Sequence, residues 1–468
     1  MASSVSSLVS GLGTNTGLST GTSSSNTTGL GQGIDVNSFV QLALAGQQAN
    51  ITNLQNEQTG INSQSSALAQ ITSALSALQT SAVALNDPLG VLAGQTATSS
   101  NTAAVTATAT SGAIPGAHSI AITSLATTSS YYSGAVAASN TVLATGDTIT
   151  VSAGGMQVAS VTTSSAVNTL SQIAAAINNQ TTAVQASVIQ DANGSRLALV
   201  STASGAPGNL TVTGSLHRTD TTAVNFTQAV PGNNAVLSVD GVPISSATNV
   251  VNNVISGVSL ILGGPTGNTP ATLVVAPDTS TITGAINNFV SAYNTAIDAL
   301  NAQFQVGANG TASGALEADS SVRDAQQSLL SAITYSTAGT GGQVNLTTLG
   351  ISTNNDGTLS VNSANLASAL SSNFAGVQSF LQASSTGFAG NLNTVLNNLV
   401  GPANGELTLD ASGLTQSHAG LTQQISDLQA ALAVNQQNLT NIYAQVNTTL
   451  QELPLLQQQL SQQLSSIP

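Results

Sequence analysis

Apolar residues recur near both ends of the chain, mostly at separations of three, four and seven. The first series is Phe39, Leu44, Ile51, Leu54, Ile61, Leu68, Ile71, Leu75, Leu78 and Leu85; the second is Leu421, Ile425, Leu428, Leu432, Leu439, Ile442 and Val446. This spacing puts the side chains along one face of a helix. Asp35 stands where an N-cap is wanted. Asn86, Asp87 and Pro88 end the first segment, since proline lacks an N–H and forces its predecessor out of the helical region. The second segment predicts helix from Leu414 to Leu464, interrupted at Pro454.

From about residue 95 the pattern changes to short alternating runs, among them AVTATAT, HSIAIT, TITVSA and ASVIQ, bounded by Gly, Pro, Asn and Asp. Such runs predict strands of an antiparallel, sandwich-like region. One helical stretch, Thr169 to Gln180, interrupts them with Leu170, Ile173, Ala174 and Ile177 on one face. Asn193-Gly194 and Asp240-Gly241 are hairpin signals, because both dipeptides tolerate positive φ. Helices resume where Ile286, Phe289, Val290, Tyr293, Ile297 and Leu300 share a face, and LGISTNNDGTLSVN reads as a small hairpin among them. The fold class is therefore α+β: long helices at the two ends that meet each other, and a β-rich insert that projects from them.

Composition narrows the partners. Charged residues are 4% of 468, Lys is absent, and the cations are Arg196, Arg218 and Arg323, leaving a formal charge of -14. Nucleic acid and anionic membrane surfaces need clustered cations, so neither is an expected partner. No run of about 18 apolar residues exists, despite a mean hydropathy of +0.22, so no membrane insertion is expected. MASSVSSLVSGLG has no Lys or Arg ahead of its apolar patch and lacks the form of a cleaved secretory signal. Residues 1–33 form a Ser/Gly-rich lead too poor in apolar side chains to order itself. A hydrophobic content of 41% argues that the rest folds. Zero Cys removes thiol chemistry and disulfides. Solubility that rests on hydroxyls and amides points to an extracellular protein.

Candidate chemistry is sparse. GLSTG, with Ser19, matches the nucleophile-elbow spelling but sits in the lead instead of a strand-to-helix turn. The glycines of GLGQG have no preceding strand and no Lys to meet a phosphate. His118, His217 and His418 are isolated in sequence, Glu317 and Asp319 are the closest acids to a pair, and Asn354 to Thr358 lacks the Glu of a calcium loop. We therefore expect no catalytic residue, no metal and no cofactor. What remains is the pair of terminal seams, which carry almost no charge: between Leu421 and Val446 only Asp427 is ionic. An apolar stripe is ordinarily intramolecular core. Two long neutral stripes at opposite ends also suit helices that pair with each other and then with copies, with register resting on packing and on seam polar residues such as Asn435.

The chain resembles the flagellar filament cap proteins, or hook-associated protein two family. The resemblance is carried, in order, by GIDVNSFVQLALAGQQ and the helix after it, PGAHSIAITSLATTSS, residues 169–205, AVLSVDGVPISSATNVVNNVISGVSLILGG, NFVSAYNTAIDAL, GALEADSSVRDAQQSLLSAI and LTTLGISTNNDGTLSVNSANLASAL. It implies a coiled-coil leg and helical domain with two inserted antiparallel β-rich domains. The implied division is N-terminal leg helices at 34–90, an inner β domain at 95–132 plus 226–277, and an outer one with one helix at 133–225. A helical leg domain at 281–400 and a C-terminal coiled-coil helix at 412–468 complete it. It also implies a structural assembly factor, exported to the flagellum tip, that retains exported flagellin and promotes its folding and polymerisation. Implied partners are copies of itself in a ring, flagellin, filament–hook junction proteins and an export chaperone. This chain departs from the family in placing Gln, Asn and Ser where Lys and Glu are usual, so subunit contacts made by salt bridges do not carry over. The alternative is a surface adhesin or glycan-binding module whose outer β-rich domain presents Tyr131, Tyr132, His217 and Arg218.

Overall fold

The structure, a computed structural model, describes residues 36–306, 314–339, 342–383 and 386–464. Asp35, the Ser/Gly-rich lead, Ser19 and both glycine motifs lie outside the described residues. The chain divides into two compact bodies, one built from residues up to Leu68 and from Asp410 onward, the other from Ala69 to Leu409. The helices are α1 (Val36–Asn86), α2 (Leu170–Gln180), α3 (Thr279–Asn301), α4 (Ser320–Ala332), α5 (Ser363–Ser372), α6 (Phe374–Gln382), α7 (Phe388–Val400) and α8 (Glu406–Leu464). The first periodic segment is a single helix that runs to Asn86 and stops ahead of Pro88, as the proline predicted; the resemblance had implied leg helices over 34–90. By length and hydropathy alone α1 could cross a membrane. Its apolar positions, however, form one stripe with Gln, Asn, Ser and Thr around the rest, the pattern of a helix that packs on one side.

Within the larger body, strands β1 (Gln95–Ser99), β2 (Val105–Ala109), β3 (Gly116–Ser124) and β4 (Thr128–Ser133) lead into β5 (Thr148–Ala153), β6 (Met156–Thr162), β7 (Val184–Asp191), β8 (Gly194–Ser204) and β9 (Leu210–Gly214). Two-residue strands β10 (Leu216–His217) and β11 (Ala223–Val224) precede β12 (Phe226–Val230), β13 (Ala235–Val239), β14 (Val242–Ser246), β15 (Val250–Asn252), β16 (Val258–Leu262) and β17 (Ala271–Pro277). The first core lies between a five-stranded sheet ordered β1-β17-β3-β13-β14 and a three-stranded one ordered β15-β16-β2, and is filled by Val105, Ile120, Leu237, Leu260 and Leu273. The second joins sheets β12-β4-β8-β7 and β6-β5-β9 to α2, through Ile149, Val151, Leu170, Ile173, Leu197 and Leu199. The α2 face read from periodicity is the buried one, and Thr169 with Gln172 closes a capping box at its start.

Strand β4 pairs with β8, Tyr131 opposite Leu199, and β12 pairs with β4, Phe226 opposite Ser133. The inner β domain implied by the resemblance ran through residue 132 and resumed at 226; in the structure β4 and β12 both join the sheet of the second core, so the chain changes sheet one strand earlier and returns one strand later. Period-two patterning says which face a residue takes, not which sheet its strand joins. The two crossings are tied where Thr127 Oγ1 donates to the Pro231 carbonyl at 2.6 Å and accepts from the Asn233 N–H at 2.9 Å. The Asp240-Gly241 hairpin is as read, with φ of 52° and 82°. In the other hairpin Asp191 pairs with Gly194, so the turn residues are Ala192 and Asn193, and Gly194 takes the positive φ as the return strand begins.

Asp278 caps α3, accepting from Thr281 N–H at 3.1 Å and Thr281 Oγ1 at 2.7 Å, which ends the β region. All six residues predicted to share a face of α3 are buried. Phe388 stacks on Phe380 at 5.3 Å and meets Phe289 edge-on at 5.7 Å, joining α3, α6 and α7. Two short hairpins complete this helical region: β18 (Ser336–Gly339) with β19 (Gly342–Asn345), and β20 (Ile351–Thr353) with β21 (Leu359–Val361) across the Asn354 to Thr358 turn.

Candidate assembly surface

The smaller body is a helix pair. Gln58 Nε2 donates to Thr422 Oγ1 at 2.7 Å, Asn435 Nδ2 donates to Gln47 Oε1 at 3.3 Å, and the rings of Phe39 and Tyr443 lie 6.0 Å apart. One index falls as the other rises, so α1 and α8 run antiparallel and Val36 lies near the level of Val446. On α1, Val40, Leu44, Gln47, Ile51, Leu54, Gln58, Ile61, Ser65 and Leu68 alternate steps of four and three, the heptad spacing of a coiled coil. Val40, Leu44, Ile51 and Leu68 are buried, and Leu54 and Ile61 half-buried. Phe39, read as a seam residue, is exposed beside the buried Val40 because it falls one position off this series. Leu75, read in the same seam, belongs to the larger body, where it is fully buried.

On α8 the seam is uneven. Leu421 and Ile425 are buried and Leu432 and Leu439 half-buried, whereas Leu428, Ile442 and Val446 remain 38%, 54% and 42% exposed. One partner helix covers one side only, and toward the helix end half-buried Tyr443, not Ile442, takes the place beside α1. The seam residues named from the sequence stop at Val446, and the helix expected to Leu464 was read as interrupted at Pro454. It is not interrupted: α8 passes through Pro454, and Leu453, Leu456 and Leu460 continue the heptad series on an exposed face, flanked by Leu455 and Leu464. The heptad spacing was the available signal, and the proline masked it. Within a helix proline deletes one N–H, which leaves the Leu450 carbonyl without its helical donor, but it need not end the helix.

Elsewhere two of the three histidines are each held by one aspartate. His118 Nδ1 lies 2.8 Å from Asp240 Oδ2, and Ser119 N–H donates to Asp240 Oδ1 at 2.8 Å; these bonds hold the Asp240 carboxyl below its usual range. The pair sits at the rim of an open apolar groove of about 430 Å³ walled by Ile114, Val242, Ile244 and Ile255. His217 donates its backbone N–H to Asp147 Oδ2 at 2.7 Å, and its Nδ1 lies 3.0 Å from Asp147 Oδ1. His418 is half-buried on α8. Asp319 caps α4, its carboxylate accepting from Ser321 N–H at 2.9 Å, while only the backbone carbonyl of Glu317 accepts from Arg323 Nη2, so the two acids do not act as a pair. Among the described residues no cluster of three His, Asp or Glu is arranged to hold a metal.

Of the four residues considered for adhesion, Tyr131 and Tyr132 point to opposite faces of β4. Tyr131 packs against the second β core. Tyr132 alternates to the opposite face, under the Arg196 guanidinium at 5.6 Å. His217 is held by Asp147, and Arg218 Nη2 donates to the Ala135 carbonyl.

Comparison with known proteins agrees with this architecture. The profile described as flagellar hook-associated protein 2 N-terminus matches residues 32–129, and that described as its C-terminus matches residues 232–454. The B-type flagellar hook-associated protein 2 of Pseudomonas aeruginosa is 31% identical over 458 residues, 92% of this chain and 95% of that one. The flagellar hook-associated protein 2 of Escherichia coli K12 is 28% identical over 381 residues, 76% of this chain and 79% of that one. A crystal structure of the D1, D2 and D3 domains of the Escherichia coli flagellar cap protein superposes with a TM-score of 0.54 at 28% identity, covering 75% of this chain and 99% of that one. Nothing in these matches supports an adhesin. With both profiles in order and a relative matched almost end to end, the chain belongs to the flagellar hook-associated protein 2 family, the flagellar cap proteins.

Proposed function

We propose that this flagellar cap protein works by assembly and not by catalysis: copies join into a small ring at the tip of the filament, outside the cell, where they retain exported flagellin and promote its folding and polymerisation. The observation that carries this reading is the half-covered seam of the terminal helices, whose apolar residues one partner helix leaves exposed. Each leucine that a further helix buries contributes about 1.5–3 kcal/mol. The inserted β-rich domains, inner and outer, and the helical leg supply the bulk of the cap, while flagellin, the filament–hook junction proteins and an export chaperone are its partners. His118 and His217, each paired with one aspartate, fit a structural role.

The test is mass photometry of the full chain beside residues 69–409, a compact unit that keeps the buried half of α1. A discrete closed oligomer for the full chain and monomers for the shorter one is the expected result; the same mass state in both removes the terminal helices from assembly. Because the seam lacks charged flanks, the oligomer distribution should change little between low and high salt.

A further inference from the structure

Strands β7 and β6 each end a sheet, β7 the four-stranded one ordered β12-β4-β8-β7 and β6 the three-stranded one ordered β6-β5-β9. An end strand offers a row of main-chain N–H and C=O groups to any other strand. β6, MQVASVT, has no charge, no Pro and no Gly, and β7, VQASVIQD, has its one charge at its last residue. Stretches of this kind pair with copies of themselves. Lys, a residue commonly set on exposed edges, is absent from the chain. Edge strand β14 carries Pro243, which has no N–H to offer, and β15 is only three residues long. Neither device is present on β6 or β7.

Helix α2 supplies another. Around its axis Asn178 and Gln180 lie about 200° apart, one on each side of the buried face of Leu170, Ile173, Ala174 and Ile177. Asn178 Nδ2 donates to the Ala186 carbonyl at 2.8 Å, and Asn178 Oδ1 accepts from the Ala186 N–H at 2.8 Å. Gln180 Nε2 donates to the Ser160 carbonyl at 3.0 Å, and Gln180 Oε1 accepts from the Ser160 N–H at 2.9 Å. Each side-chain amide thus makes with one edge residue the two bonds that an opposing residue of a neighbouring strand would make. Asn178 and Gln180 are themselves exposed, so water can replace them as hydrogen-bond partners. Water, unlike the amides, does not hold the place against another strand.

We propose that Asn178 and Gln180 act as surrogate strands, closing the β7 and β6 edges to pairing with the same strands of a second copy. The closure stands on this geometry alone; that it keeps neighbouring copies at the filament tip from joining through these edges rests on the assembly reading.

Hydrogen exchange on the full chain carrying Asn178→Ala with Gln180→Ala, at low and at high protein concentration, tests the closure. At low concentration exchange in 156–162 and 184–191 should quicken by about tenfold, because the amide bonds are lost. At high concentration it should become slower than in the parent, with larger species than the parent forms in sedimentation velocity, because strands of other copies take the edges. Faster exchange at both concentrations without larger species means that the amides only add stability, and overturns the proposal; so does unchanged exchange. The parent's own oligomer, measured in the same run, carries the assembly reading separately. Asn178→Asp with Gln180→Glu is the second arm: a carboxylate accepts from the edge N–H, repels the carbonyl and puts a charge where a strand would dock, so this variant should keep the parent's size at high concentration. Association equal to that of the alanine variant overturns the proposal. Exchange in 170–177 reports whether α2 stays packed. If it loosens in the double variant, Asn178→Ala alone leaves Gln180 in place, and the reversal with concentration should appear in 184–191 and not in 156–162; its absence from 184–191 overturns the proposal equally.

Discussion

The two halves of α1 have the same kind of sequence and opposite fates. Between Ala69 and Asn86, Ile71, Leu75, Leu78, Ala82 and Leu85 are almost wholly removed from solvent. There Gln79 Nε2 also donates to Asn393 Oδ1 at 3.2 Å, and just past the helix end the Asp87 carbonyl accepts from Gln382 Nε2 at 2.7 Å. Between Val36 and Leu68 the series that faces α8 mixes buried Val40, Leu44, Ile51 and Leu68 and half-buried Leu54 and Ile61 with Gln47, Gln58 and Ser65. Helix propensity does not separate them. What differs is how many elements surround the stripe: several helices bury one half, and a single helix covers the other. A stripe buried on all sides gives its free energy to the fold, whereas a stripe covered on one side keeps some for association.

The largest expected effect is therefore at Leu78. Leu78→Ala opens a cavity in a sealed core and should cost about 2–5 kcal/mol, whereas Ile51→Ala, at a site open to water on its flanks, should cost about half as much. Urea unfolding followed by circular dichroism reads both, and the two bodies are expected to melt in separate transitions. Equal losses would mean that the helix pair is as well sealed as the leg, and the contrast between the halves of α1 would collapse.

A smaller effect sharpens the contrast from the seam side. Asn435 reaches across to Gln47, and a polar residue at a seam position fixes register at a cost in stability. Asn435→Leu should stabilise the pair by about 1 kcal/mol while broadening the oligomer distribution, because a uniform leucine seam accepts shifted partners. Sedimentation velocity checks this. A variant that is more stable and keeps one sharp species would show that packing alone sets the register.

Much of this was legible before any coordinates. The stripe on α3, the α2 face and the Asp240-Gly241 turn follow from periodicity and turn chemistry, because each is decided within a few residues. The boundary between the β cores was not legible: whether β4 joins β3 or β8 depends on partners some seventy residues away. Nor was the division of α1, since identical 3/4 spacing continues from Leu68 through Leu75 while the surroundings change. At Pro454 a local rule misled, because a helix held by its leucine series tolerates one missing N–H. Tyr443 displaced Ile442 for a related reason: a heptad count assumes an even seam, and one partner helix covers α8 unevenly.

The two bodies should also part company in acid, which is the smallest effect and the most selective. Asp191, Asp220, Asp240, Asp278 and Asp356 all lie in the larger body. Hydrogen bonds hold each below its ordinary value: the Asn193 N–H for Asp191, Thr222 for Asp220, His118 for Asp240, Thr281 for Asp278 and Thr358 for Asp356. A carboxylate whose folded value is depressed contributes stability that is present above its unfolded value, about 4, and is lost as pH falls through the lower folded value. The described part of the helix pair carries only Glu57, Asp410, Asp427 and Glu452 as acids. Between pH 7 and 5 neither transition should move; below about pH 4 the transition of the larger body should fall first. Asp278→Asn removes one contributor by weakening the cap of α3, so the variant should start lower at pH 7 and converge on the parent as the pH drops. If acid instead melted the helix pair first, solvation of its neutral Gln and Asn face would be the weak point, and the half-covered seam could not serve as the stable side of an assembly.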